Sequence, residues 1–131
     1  MPTTKVLFVD DDEQVRESFE FAHSPYFNIV LADGGKQALG ILGKDSNIGV
    51  AVVDIRMPKM DGIELAQIIR ESWPDIKIII HTANMSISSV VKSINLAQVD
   101  GFLEKVAHDE HALDKVRTVI SLRLREFEHQ S

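Results

Sequence analysis

The feature that most restricts what this chain can fold into is a fivefold alternation of short apolar, β-branched runs with longer amphipathic stretches. The apolar runs are Lys5-Val6-Leu7-Phe8-Val9, Asn28-Ile29-Val30-Leu31-Ala32, Val50 to Val53, Lys77 to His81 and Gly101-Phe102-Leu103. Each reads as a strand. Between and after them, Gln14 to Ala22, Lys36 to Leu42, Gly62 to Ser72, Ile87 to Leu96 and Asp109 to about Glu128 carry apolar residues at helical spacing. Gly43 is expected to close the second helix and Trp73-Pro74-Asp75 the third.

Strands this uniformly apolar, separated by helix-length segments, suit a parallel sheet covered on both faces. The expected fold is α/β: a doubly wound, flavodoxin-like (βα)5 arrangement of five parallel strands in the order 2-1-3-4-5. In that order the first and third strands are neighbours at the switch point, and ligands bind outside their carboxyl ends. A chain of 131 residues makes one domain. Here that domain is assigned to residues 1–122, with 123–131 a helical extension leading toward a partner or an output domain.

The residues that follow the strands therefore matter most. Asp10, Asp11, Asp12 and Glu13 follow the first, Asp54 ends the third, His81 and Thr82 the fourth, and Glu104 and Lys105 the fifth. Carboxylates gathered in one crevice repel one another unless a cation compensates. With no cysteine in the chain and oxygen donors at hand, Mg²⁺ or Mn²⁺ is the expected ion. A carboxylate beside such an ion can act as a nucleophile toward phosphorus, with a lysine and a hydroxyl stabilising the transferred group. Asp54, Lys105 and Thr82 fit those roles. Taken singly, each has a plainer reading: Asp10 to Glu13 as helix-capping acids, Asp54 as a turn former, Lys105 as a solvated cation, Thr82 as packing.

Five motifs in order identify a family resemblance. Val9-Asp10-Asp11-Asp12-Glu13, Ala32-Asp33-Gly34-Gly35-Lys36-Gln37-Ala38-Leu39, Val53-Asp54-Ile55-Arg56-Met57-Pro58-Lys59-Met60-Asp61-Gly62, His81-Thr82-Ala83 and Gly101-Phe102-Leu103-Glu104-Lys105 resemble the receiver domain of two-component response regulators, from about Lys5 to Leu122. The resemblance implies that Asp54 is the phosphoacceptor and that Asp10 and Asp11, with Asp54 and the Arg56 carbonyl, hold the metal. It implies that Thr82 and Lys105 contact the phosphoryl group and that Phe102 is the aromatic switch residue. Arg56 and Asn84 would tune phosphate lifetime. The expected phosphodonor is a histidine kinase or a histidine phosphotransfer protein, and the expected location is cytoplasmic. No turnover of a separate substrate is expected.

One position departs from the family pattern. Val106 stands where a proline usually follows the lysine, and a cis bond before a non-proline residue costs about 2.5–4 kcal/mol, so a trans bond is expected there. Two other functions compete: a degenerate receiver acting as a phosphorylation-independent interaction module, and a Mg²⁺-dependent Asp-x-Asp phosphatase using Asp10 and Asp12. The net charge of −6 argues against direct nucleic-acid binding by this domain, and no apolar run is long enough to span a membrane. His108 and His111 lack a further ligand and read as a solvated face. Leu113, Val116, Ile120, Leu124 and Phe127 form a stripe along the last helix. Its end, Leu124 and Phe127, suggests a homodimer contact or the lead into an output domain.

Overall fold

A computed structural model describes residues 3–57, 59–83, 86–105 and 110–129. The expectations placed on Asn84, Val106 and His108 fall outside the described residues. Strands β1 (Lys5–Val9), β2 (Asn28–Ala32), β3 (Ile48–Val53), β4 (Lys77–Thr82) and β5 (Gly101–Glu104) alternate with helices α1 (Glu13–His23), α2 (Gly35–Lys44), α3 (Gly62–Ser72), α4 (Ile87–Ala97) and α5 (Glu110–His129). The strands form one parallel sheet in the order β2-β1-β3-β4-β5. This is the architecture expected from the alternation. None of the described helices is long and apolar enough to cross a membrane.

The sheet is apolar on both faces because alternate strand residues feed two cores. Leu7, Val9, Ala51, Val53, Ile78 and Ile80 pack with Leu42 of α2, Leu65 and Ile69 of α3 and Ala97 of α4. Their sequence neighbours Val6, Phe8, Val50, Val52 and Ile79 pack with Phe19 of α1 and Ile120 of α5. The pairing of β1 with β3 shifts between Lys5 and Val6, where Ile48 and then Val50 are the partners. Gly49 is the extra residue. A Cβ there would lie 2.5 Å from Thr4 Cγ2 and 2.7 Å from Phe127 Cδ2, so the bulge is also the seat on which the end of α5 rests.

Helix ends follow the local chemistry. Asp12, Asp61 and Ser86 cap α1, α3 and α4 by accepting bonds from Gln14 N, Glu64 N and Ser89 N. Gly43 does not close α2 as expected. The helix runs through Lys44, and the Asp45 N–H bonds to the Ile41 carbonyl. Asp45 is held in place by Lys5, 2.7 Å away, so tertiary pairing sets this end instead of the conformational freedom of glycine. α4 ends at Gln98 in the left-handed region, φ 51°. Arg70 ties that end down through bonds to the Pro74, Ile76 and Gln98 carbonyls and to Asp100 Oδ2.

α5 passes from residue 122 to 123 without a break. Leu124 and Phe127 are half-buried against the domain, whereas Leu122 is exposed. The apolar stripe of the extension is thus a continuation of the packing begun by Val116 and Ile120.

Candidate functional site

The sheet register assembles the site. Val9 pairs with both Ala32 and Val53, so β1 and β3 end at one level and deliver Asp10 and Asp54 side by side. Two backbone bonds fix them there, from Asp10 N to the Ala32 carbonyl (3.1 Å) and from Asp54 N to the Val9 carbonyl (3.0 Å). β4 and β5 reach further, and the Lys105 N–H bonds to the Thr82 carbonyl at 2.9 Å. That bond brings the lysine over the same edge.

Asp10 and Asp54 are buried, Asp11 is exposed, and one carboxylate oxygen from each lies within 4.8 Å of the others. Lys105 Nζ sits 2.7 Å from Asp10 Oδ2 and 3.3 Å from Asp54 Oδ2, bridging the two buried acids. Burial, and then the negative charge of Asp10, hold the Asp54 carboxyl above the usual carboxylate range, although Lys105 and the Arg56 N–H pull against them. For Lys105 burial favours the neutral amine, but the two carboxylates outweigh it and hold the ammonium above its ordinary value. Asp54 is a buried carboxylate kept close to its countercharge.

The surrounding loop is tight around Asp54. The Arg56 N–H points at Asp54 Oδ1 over 3.4 Å, and the Gly62 N–H closes on the Ile55 carbonyl at 2.8 Å. A Cβ on Gly62 would lie 2.0 Å from the Asp54 carbonyl oxygen, which only glycine avoids. Met57 is buried beneath the loop. The sequence pattern gives no site role to Gly62, nor to Arg16, whose guanidinium donates to the Asp10 carbonyl at 2.8 Å. Gly62 is recoverable from its place at a helix start after a loop. Nothing in the spacing marks Arg16.

Thr82 is buried at the end of β4, its carbonyl holding the lysine backbone beside it. Phe102 is half-buried and packs against the core that contains Ile78 and Ile80. The Arg56 side chain is exposed. Asp12 does not join the acidic group, because its Oδ1 accepts from Gln14 N at 2.9 Å as the cap of α1. Among the described residues the three acids are the one cluster with metal-binding geometry, and His111 is exposed.

A divalent cation fits these donors. Asp10 Oδ2 is buried with the Lys105 ammonium, 2.7 Å away, as its ion-pair partner, and one oxygen from each of the three acids lies within 4.8 Å of the others. A carboxylate has lone pairs for more than one partner, and all the donors are oxygens of the kind Mg²⁺ prefers.

Comparison with known proteins agrees with this geometry. The family model described as "Response regulator receiver domain" matches residues 6–117. The response regulator MprA of Mycolicibacterium vanbaalenii is 33% identical over 117 residues, covering 88% of this chain and 50% of that protein. The Mycobacterium leprae MprA is 32% identical with the same coverage. The chain thus spans about half the length of these curated relatives. Among solved structures, a CheY-like response regulator receiver domain protein of Methanospirillum hungatei superposes with a TM-score of 0.87 at 23% identity, covering 99% of this chain and all of the other. A response regulator receiver protein of Pseudomonas putida gives 0.81 at 27% identity, covering 93% and 98%.

Proposed function

This chain belongs to the response regulator receiver family, whose members are signalling modules, and on that premise we propose that Asp54 accepts a phosphoryl group from a phosphohistidine donor. The observation that carries the reading is the bridging of Asp10 and Asp54 by one ammonium at the carboxyl edge of the sheet. An Asp54 carboxylate oxygen forms the bond to phosphorus as the bond from phosphorus to the donor's histidine nitrogen breaks, and that nitrogen leaves with its electron pair. Lys105 shifts its pairing from the Asp54 carboxylate to an oxygen of the incoming group. Thr82 donates its hydroxyl to another, and Phe102 repacks as Thr82 moves. Asp10, Asp11, Asp54 and the Arg56 carbonyl are the residues that would hold Mg²⁺, which when bound supplies the positive charge that phosphoryl oxygens require.

The competing readings are less well supported. A degenerate interaction module would lack part of this machinery, whereas the acids and the lysine meet here. An Asp-x-Asp phosphatase would need Asp12 free beside Asp10, and Asp12 caps α1. The partners in this reading are a histidine kinase or histidine phosphotransfer protein in the cytoplasm and an output domain. A homodimer through the last helix is the other partner of this reading, with Leu124 and Phe127 half-buried against the domain.

Titrating the chain with beryllofluoride and Mg²⁺ while following amide resonances tests the reading. Large shifts at Thr82, Phe102 and Lys105, absent in Asp54→Asn, are expected. Unchanged spectra would overturn it.

A further inference from the structure

Arg16 reaches the phosphoacceptor edge without belonging to the acid group. It is the fourth residue of α1 and is half-buried. Its guanidinium turns back to donate to the Asp10 carbonyl over 2.8 Å, while its own N–H bonds to the Asp12 carbonyl in the first turn of the helix. The side chain therefore joins the frame of α1 to the peptide between Asp10 and Asp11.

The three acids differ in what holds their carboxylates. Asp10 pairs with Lys105 through Oδ2 and accepts from the Asp12 N–H through Oδ1 at 3.0 Å. Asp54 pairs with Lys105 and faces the Arg56 N–H. Asp11 is exposed, and among the described residues nothing bonds to its carboxylate. Its place beside the other two is set by its backbone. The peptide after it is tied down by the bond from Asp12 N to Asp10 Oδ1, and the peptide before it by Arg16.

We propose that Arg16 is a positioning residue for Asp11, holding the Asp10–Asp11 peptide so that the Asp11 carboxylate stays aimed into the acid group where a divalent cation would sit. This role rests on the reading of the three acids as the Mg²⁺ site. A charged donor makes a stronger hydrogen bond than a neutral one, and the planar guanidinium loses little freedom in making it. Partners that orient metal ligands without touching the ion change metal affinity by about 10–100-fold. The sign of the effect separates this role from simple electrostatics. A cation at residue 16 repels Mg²⁺, so by charge alone its removal tightens binding, whereas loss of a positioning bond weakens it.

The test compares the full chain with Arg16→Met and Arg16→Lys. Mg²⁺ is titrated at pH 7 while amide resonances of Asp11 and Asp54 are followed, and ¹⁵N order parameters are measured in EDTA. Arg16→Met should bind Mg²⁺ about tenfold more weakly than the wild type, with Arg16→Lys, which keeps the charge and a shorter donor, between them. In EDTA the order parameters of Asp11 and Asp12 should fall in Arg16→Met from about 0.85 toward about 0.6, with the fold intact by circular dichroism. Binding by Arg16→Met as tight as the wild type or tighter, or unchanged order at Asp11 and Asp12, would overturn the proposal. Should Arg16→Met fail to fold, Arg16→Lys with wild-type affinity and wild-type order would overturn it instead. A wild type that takes up no Mg²⁺ would count against the metal site of the proposed function and leave the order parameters, measured without metal, to decide the role of Arg16.

Discussion

Asp54→Asn should make the protein more stable. At an effective dielectric of about 20, a charge pair at the Lys105–Asp54 distance of 3.3 Å gains about 5 kcal/mol. Repulsion from a second carboxylate no more than 4.8 Å away costs about 3.5 kcal/mol or more. The Coulomb contributions nearly cancel, and burial of the Asp54 charge decides the sign. In the variant Lys105 keeps its closer partner, Asp10, at 2.7 Å. The net gain at pH 7 without divalent ions is about 1–2 kcal/mol, seen as a rise in Tm of about 3–6 °C.

The pH dependence follows from the same shift. Asp54 has a folded pKa raised above its ordinary 3.8. Its contribution to stability is therefore fully present below that ordinary value, where the carboxyl is protonated in both states, and is lost as pH rises through the folded value. The advantage of the asparagine variant should vanish near pH 3.5 and be complete at pH 7. Paired urea melts of both proteins across this range, in EDTA, measure it, and Mg²⁺ should narrow the gap by stabilising the wild type. An asparagine variant that is less stable at pH 7, or a gap that widens toward acid, would refute the electrostatic reasoning.

Lys105→Met leaves two buried carboxylates without their cation and should lower stability by about 2 kcal/mol in urea melts, while slowing phosphoryl uptake from acetyl phosphate. Gly62→Ala forces a methyl against the Asp54 carbonyl, where the clearance is 2.0 Å. A loss of about 1–3 kcal/mol is expected, together with reduced phosphoryl uptake at Asp54. Phe127→Ala should cost about 1–3 kcal/mol by thermal melting because this ring is seated against β3 at Gly49. An unchanged Tm would mean that the end of α5 is not part of the folded unit.

Most of the fold could be read from the chain because a two-sided parallel sheet prints its pattern directly: five apolar runs, each followed by a helical period. The strand order came from the usual arrangement of five such units, and the gathering of Asp10, Asp54, Thr82 and Lys105 at one edge then followed from where those runs stop. What stayed hidden depends on contacts between distant residues. Gly43 looked like a helix stop, yet the Lys5–Asp45 pair sets that end. The seat that the bulge at Gly49 makes for Phe127 is likewise not visible in the spacing of the last helix. Arg16 reaches the Asp10 carbonyl by a turn of α1 that polarity alone does not reveal.

The most direct test of the central claim is mass spectrometry of the intact chain after incubation with acetyl phosphate and Mg²⁺, followed by peptide mapping. One base- and hydroxylamine-labile phosphoryl group on Asp54, absent in Asp54→Asn and suppressed by EDTA, is the predicted result. No modification, or modification that persists in Asp54→Asn, would contradict it.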